Sequence, residues 1–258
     1  MVSDEELRAE LAAAAADPGT ASEVADRLCR ACVRLLEVDG ASLSLTLGGS
    51  DRGTLGASGP LSRRLDAWQF TVGEGPCLDS VRDGRPVLVA DLQDVAETRW
   101  PAFSRAVLQA GVSAVFALPV SVSSQFVGAL DLFRHRPGPL SERALSGGLL
   151  AAELAALPLL DVLVAGRADV DREAESRSTQ LATLDRIEVY QATGMIVGAL
   201  DVDPSEALVR LRAHAYARDM TAVEVAWEIV ERRLSLDTAD WHDSSDRQGP
   251  AGPGRSTS

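Results

Sequence analysis

The stretch SAVFALPVSVSSQFVGALDLFR, residues 113–134, decides the fold. SAVFALPVSV and QFVGALDLFR are both apolar enough to be buried, and they follow one another closely, so they read as adjacent central strands of a sheet. Upstream, Gly111 ends a helix that Pro101 opens and that reaches about Gln109. Val87-Leu88-Val89 is a short strand. Before it, GEGPCLD (73–79) leads tightly into a helix near 77–82, which Gly84-Arg85-Pro86 ends. A short helix is expected over 61–68, followed by Phe70-Thr71-Val72 as a strand fragment. ASLSLTL (41–47) alternates apolar and polar residues, the pattern of a half-buried strand, and TLGASG is a short, weak partner beyond a GGSDRG turn. Helices are expected over 3–16, and from Thr20 or Ser22 to about Glu37. Downstream, Ser141 caps a long helix starting near Glu142. Helices before and after several antiparallel strands define an α+β sensory domain.

The remaining length belongs to something else. At 258 residues the chain suits two domains of ordinary size. Residues 186–234, RIEVYQATGMIVGALDVDPSEALVRLRAHAYARDMTAVEVAWEIVERRL, read as three short helices with almost no catalytic chemistry. Ile187, Tyr190, Gly194 and Val197 recur at helical spacing. Asp203-Pro204 opens a second helix, and Thr221 with Glu224 makes a capping box for a third. Arg210, His214 and Arg218 stand at i, i+4 and i+8, a basic strip along one helix. The strip reads as a phosphate-backbone contact, or as surface charge paired with Glu206 or Asp219. Glu224, Glu228 and Glu231 occupy the exposed side of the last helix and would repel a nucleic-acid groove. Residues 161–183 read as a helical linker, either a dimer stalk or a solvated helix. Residues 237–258 are rich in Gly, Pro, Ser and Asp and read as a disordered tail, with Trp241-His242 its one oddity.

Composition narrows the partners. The net charge is −13, which argues against non-specific binding to nucleic acid or anionic membrane and leaves a local basic patch as the whole electrostatic case. All 25 basic residues are Arg, so any phosphate contact uses guanidinium forks. No apolar run reaches the roughly 18 residues of a membrane span, since Leu149–Ala165 is broken by Glu153, Pro158 and Asp161. The acidic start MVSDEELRAE is the reverse of a signal peptide, so a cytoplasmic protein without a membrane partner is expected. Three cysteines indicate a reduced compartment. Cys29 and Cys32 form a CxxC within a helical apolar pattern and read as core packing or as a redox or metal pair. No second CxxC or nearby His completes a zinc site, and neither metal nor cofactor is expected. Cys77 reads either as packing or as a reactive thiol. Phe70, Trp100, Phe103 and Phe116 are candidate pocket walls beside Cys77, or plain core.

The element order over roughly 20–160, with GEGPCLD, RWPAFSRAVLQAGVSAVFALPV and VGALDLFR, resembles a GAF domain. The resemblance implies a six-stranded sheet with helices on one face and a small-molecule pocket on the other. Residues 184–236 resemble an ANTAR domain, a three-helix RNA-binding module of antitermination regulators. That resemblance rests on Ala192, Gly194 and Met195, on Glu206–Leu208, Leu211-Arg212 and Ala215, and on EVAWEIV (224–230). Where many members carry Lys, this chain has Thr193. RNA contacts are then expected from Arg186, Tyr190, Gln191, Thr193, Gly194, Arg210, Arg212, His214 and Arg218. Together the two resemblances imply a cytoplasmic, non-enzymatic, dimeric regulator. An N-terminal helix (1–19) and a sensing domain (20–160) for a small-molecule or protein signal precede a domain that binds RNA stem-loops in nascent transcripts. The alternatives are a DNA-binding sensor and a thiol-dependent GAF enzyme using Cys77.

Overall fold

The computed structural model describes residues 3–47, 50–170, 186–236 and 241. The chain opens with α1 (Asp4–Ala16) and α2 (Ala21–Leu35). Each is started by a reciprocal capping box, Ser3 with Glu6 and Thr20 with Glu23, which satisfies amide groups that helix starts leave open. There follow β1 (Gly40–Leu47), β2 (Ser50–Ala57), α3 (Pro60–Val72), α4 (Pro76–Asp83), β3 (Val87–Val89) and α5 (Pro101–Gln109). β4 (Ala114–Val122) and β5 (Gln125–Arg134) then form the central hairpin. Its turn is Ser123-Ser124, both at positive φ, the twist-matched connection for a right-handed strand pair. α6 (Glu142–Leu154) and α7 (Ala156–Val170) close the first unit. Among the described residues five strands form one antiparallel sheet, in the order β2-β1-β5-β4-β3. The expected sixth strand is not among them, and the expected weak partner TLGASG contributes its first four residues, 54–57, to the eight-residue β2.

The two faces of the sheet differ. α1, α2, α6 and α7 cover one face, where Leu43, Leu45, Phe116, Leu118, Leu130 and Leu132 meet Leu28, Cys29, Cys32, Leu36, Leu159 and Val162. α2 passes so close to β2 that a Cβ on Gly56 would lie 2.4 Å from that of Ala25. Residues Glu142–Val164 are long and apolar enough to cross a membrane, but here Ala144, Ala151, Ala155, Leu159 and Val162 of this stretch are core. The other face carries α3, α4 and α5 over Leu65, Trp100, Phe103, Val115 and Phe133. Helices therefore lie on both faces, not on one.

Three more helices, α8 (Ile187–Leu200), α9 (Pro204–Ala217) and α10 (Ala222–Val230), surround a second core of Val189, Ala192, Ile196, Leu211, Ala215, Val225, Ala226 and Ile229. Asp203 caps α9 and the Thr221–Glu224 box caps α10, as expected from the sequence. α9 and α10 pack on α3. That packing explains one difference from expectation. Residues 70–72 form the last turn of α3 instead of a strand, ended by Gly73 in the left-handed conformation. Phe70 joins the core of the helical unit, so tertiary contact outweighs the strand preference of a Phe-Thr-Val run. α7 runs through the first part of the segment read as a linker, to residue 170, and 171–185 lie outside the described residues. Of the tail, Trp241 is described, and it is not loose: it is 2% exposed and packs into the helical core.

Candidate functional site: a buried polar cluster and the junction behind it

β1 alternates as the sequence suggests, but its polar side does not face water. Ser42, Ser44 and Thr46 are buried toward α3, and Asp131 of β5 stands opposite Ser42 in register. α3 adds Asp66 and Gln69, one turn apart on the same helix side. The carboxylate of Asp66 accepts hydrogen bonds from the hydroxyls of Ser44 and Thr54. Gln69 bridges two elements: its Nε2 donates to Asp131 Oδ2 at 3.0 Å, and its Oε1 accepts from the Cys77 amide at 2.9 Å. Buried polar groups persist when partnered in this way.

The GEGPCLD motif builds this arrangement. Glu74 Oε1 accepts from the amides of Ala102 and Phe103 at 2.7 and 3.1 Å, capping α5 from a distance. Gly75 sits at φ 147°, and a Cβ there would lie 2.4 Å from Gln69 Oε1, so glycine is what admits the bridging amide. Pro76 opens α4 and delivers Cys77 to the cluster. Asp79 accepts from Trp100 Nε1 at 3.0 Å. The donor atoms of Asp66, Cys77 and Asp131 lie within 4.8 Å of one another.

Behind the cluster lies the junction with the helical unit. Arg186, at the start of α8, reaches Asp66 Oδ2 at 3.3 Å, and the pair is 8% and 1% exposed. The guanidinium groups of Arg186 and Arg212 pack on the Phe70 ring, 4.2 and 4.3 Å from its centroid. The Ala222 amide donates to Thr71 Oγ1 at 2.9 Å. Arg64–Glu224 and Arg105–Asp219 ion pairs rim the contact at 3.2 and 3.6 Å. Elsewhere an open cleft of about 410 Å³ lies at one end of the sheet, between α2, the β5 end and the first turns of α3. Arg30, Arg34, Asp39, Ser62, Phe133 and His135 are among its walls. α3 therefore runs from this cleft, past the polar cluster, to the junction.

The five residues proposed as a ligand pocket do not converge. Phe116 lies on the opposite sheet face, Trp100 and Phe103 belong to the core around α5, and Phe70 belongs to the helical unit. Cys77 alone of the five reaches the polar cluster. The proposed RNA residues also divide. Tyr190, Gln191 and Gly194 are exposed on α8, whereas Thr193 is buried and turns its hydroxyl to Val189 O. Arg186 and Arg212 are engaged at the junction. Of the two readings of the basic strip, the pairing of Arg210 with Glu206 is present, and the whole row is engaged within the protein. Arg210 pairs with Glu206 and donates to Trp241 O at 2.7 Å. His214 is 7% exposed, its ring stacked on Trp241 at 4.0 Å and 8°, and Arg218 packs against it. The physical reason is that α9 carries the strip beside an apolar groove that an indole fills. Sequence reading missed Asp66, Gln69 and Asp131. The one available signal was a charged residue, Asp131, inside a strand otherwise read as buried.

A five-stranded antiparallel sheet between helical layers is the arrangement of a GAF-type fold. The GAF domain family profile matches residues 19–157, and the chain belongs to that family. The match ends before α8. Among solved structures, the GAF domain of an Acinetobacter phosphoenolpyruvate-protein phosphotransferase is similar, with 13% identity, a TM-score of 0.50, and coverage of 64% of this chain and 97% of that one. The corresponding domain from Coxiella burnetii has 13% identity and a TM-score of 0.49, covering 66% and 97%. A free methionine-R-sulfoxide reductase from Neisseria meningitidis has 13% identity and a TM-score of 0.49, covering 63% and 91%. No curated protein matches the chain.

Proposed function

We propose that the chain is a signal-responsive RNA-binding regulator. Its GAF domain senses a small ligand or partner, and its C-terminal helices bind RNA stem-loops to promote antitermination. The observation that carries the sensor–effector reading is α3, which forms the wall of the cleft, supplies Asp66 and Gln69, and ends in the junction with α9 and α10. A cleft of about 410 Å³ is within the range of small-molecule sites. A ligand that shifts α3 acts directly on Phe70 and Thr71, and so on how the helical unit is held. The RNA part rests on the ANTAR resemblance and on exposed Tyr190 and Gln191 for stacking and amide contacts, with the Arg210–Arg218 row meeting phosphates once Trp241 is displaced from it. Glu228 of α10 and Glu231 just beyond it are carboxylates paired with Arg233, so this end of the unit offers a DNA groove ion pairs and no free row of cations. The protein works without catalysis, in the cytoplasm and as a homodimer.

The test is binding of the full chain to hairpin RNA against duplex DNA of matched length over a salt series. Preference for the hairpin, with a log–log slope steepened by about 0.7–0.9 per phosphate contacted, is the expected result. Equal binding to duplex DNA, or none to either, overturns the RNA reading.

A further inference from the structure

We propose that Asp66, Cys77 and Asp131 form a binding site for a divalent first-row transition metal ion, which competes with Arg186 for Asp66. The three side chains come from α3, α4 and β5, and they are 0%, 2% and 0% exposed. Their donor atoms lie within 4.8 Å of one another. Bond lengths of about 2.1 Å to oxygen and 2.3 Å to sulfur put the donors of one ion roughly 3–4 Å apart, so small side-chain rotations close the site. A second, independent observation points the same way. Ser42 Oγ is fully buried and has no hydrogen-bond partner among the described residues. It stands directly opposite Asp131 in the strand register, on the same sheet face. A buried hydroxyl without a protein partner marks a place for a polar guest, here the ion or a water bound to it.

The donor set selects the ion. A thiolate disfavours magnesium and calcium, which take oxygen, and two carboxylates disfavour a soft monovalent ion such as Cu(I). Iron(II), cobalt(II) and zinc(II) tolerate both. Binding balances as M²⁺ plus the Cys77 thiol giving a metal–thiolate bond and one released proton, so affinity falls as pH falls. The ion's two positive charges then meet three negative ones, the two buried carboxylates and the Cys77 thiolate, which lowers the cost of burying the carboxylates. Arg186 already lies 3.3 Å from Asp66. A metal ion on the same carboxylate takes up its lone pairs and reduces the negative charge facing that guanidinium, which weakens the seat of α8. The site stands on its own geometry, and the loosening of α8 rests on the sensor–effector reading above.

Cobalt(II) titration of the metal-free full chain tests the site. One equivalent is expected to give a thiolate-to-cobalt charge-transfer band in the near ultraviolet. Cys77→Ser, folded by circular dichroism, is expected to lose the band, and Asp131→Asn to weaken binding at least about tenfold. The absence of a stoichiometric band, or its survival in Cys77→Ser, overturns the site. Hydrogen exchange reads the competition. Cobalt is expected to speed exchange at the Ala222 amide, which is bonded to Thr71. Cobalt binding with unchanged exchange there overturns the competition with Arg186. None of these readouts uses RNA, so failure of the RNA reading leaves them intact.

Discussion

The two faces of the sheet bury side chains in opposite ways. Against α2, α6 and α7 the strands present Leu43, Leu118, Leu130 and Leu132, and any neighbour of the right shape will do. Toward α3 the same strands present Ser42, Ser44 and Asp131, which need particular partners: Gln69 for Asp131, and Asp66 with its own donors for Ser44. Apolar burial is unconditional. Polar burial depends on groups from other elements and, at Asp66, on Arg186 from the other side of the junction. The face toward α3 thus adds to its own apolar core a set of buried polar groups whose burial depends on partners from other elements.

The sharpest way to break this contrast is Asp66→Ala. It leaves Arg186 buried without its carboxylate, and breaking one side of a buried pair costs about 3–5 kcal/mol. Because the pair crosses the junction, urea unfolding followed by circular dichroism is expected to split into two steps, the helical unit melting first. Leu132→Ala, on the apolar face, is expected to cost about 2–5 kcal/mol while preserving a single transition. If Leu132→Ala split the transition and Asp66→Ala did not, the division of labour between the faces would be wrong.

That contrast also explains what could be read from the chain beforehand. The central hairpin, the capped helices and the three C-terminal helices were legible because apolar period and capping residues are local signals. ASLSLT is legible as a half-buried strand, but alternation reports two sides without saying what covers them, so nothing local marks Ser42 and Ser44 as buried. Phe116 and Trp100 could not be assigned to opposite faces without the strand register. Asp66 drew no notice, because its partners are 12, 22 and 120 residues away along the chain. Residues 70–72 were misread for the same reason: what makes them helical is a unit more than a hundred residues later.

Cys29 and Cys32 give the apolar face a pH signature. Both are fully buried, and burial pushes the Cys29 thiol well up and the Cys32 thiol up to about 12. An unfolded thiol ionises near about 8.5. Above that pH the unfolded chain gives up protons that the folded chain keeps, so stability falls as pH rises toward 12 and is unaffected below about 8. The urea midpoint is expected to drop more steeply between pH 9 and 11 in the wild type than in Cys32→Ala. Equal slopes would mean that the thiols are not sealed, and the face would be less unconditional than its packing implies.

The smallest expected effect concerns a second case of conditional burial. His214 is a polar ring held at 7% exposure because the Trp241 indole lies flat on it, and Arg210 is tied to the backbone of the same tail residue. If α9 carries the phosphate contacts of the RNA reading, this tail residue occupies part of their surface, and RNA must displace it. A stacked aromatic pair is worth about 0.5–1.5 kcal/mol, which corresponds to a gain of roughly two- to tenfold when the competitor is removed. Trp241→Ala is therefore expected to bind hairpin RNA that much more tightly at fixed salt. Trp241 is itself buried in the helical core, so the same change also costs stability, about 3–5 kcal/mol for truncating a buried Trp, and the two affinities are compared under conditions where both chains are folded. Affinity that falls in Trp241→Ala would place the indole in the RNA surface itself, and the stack on His214 would then not be a cover that RNA displaces.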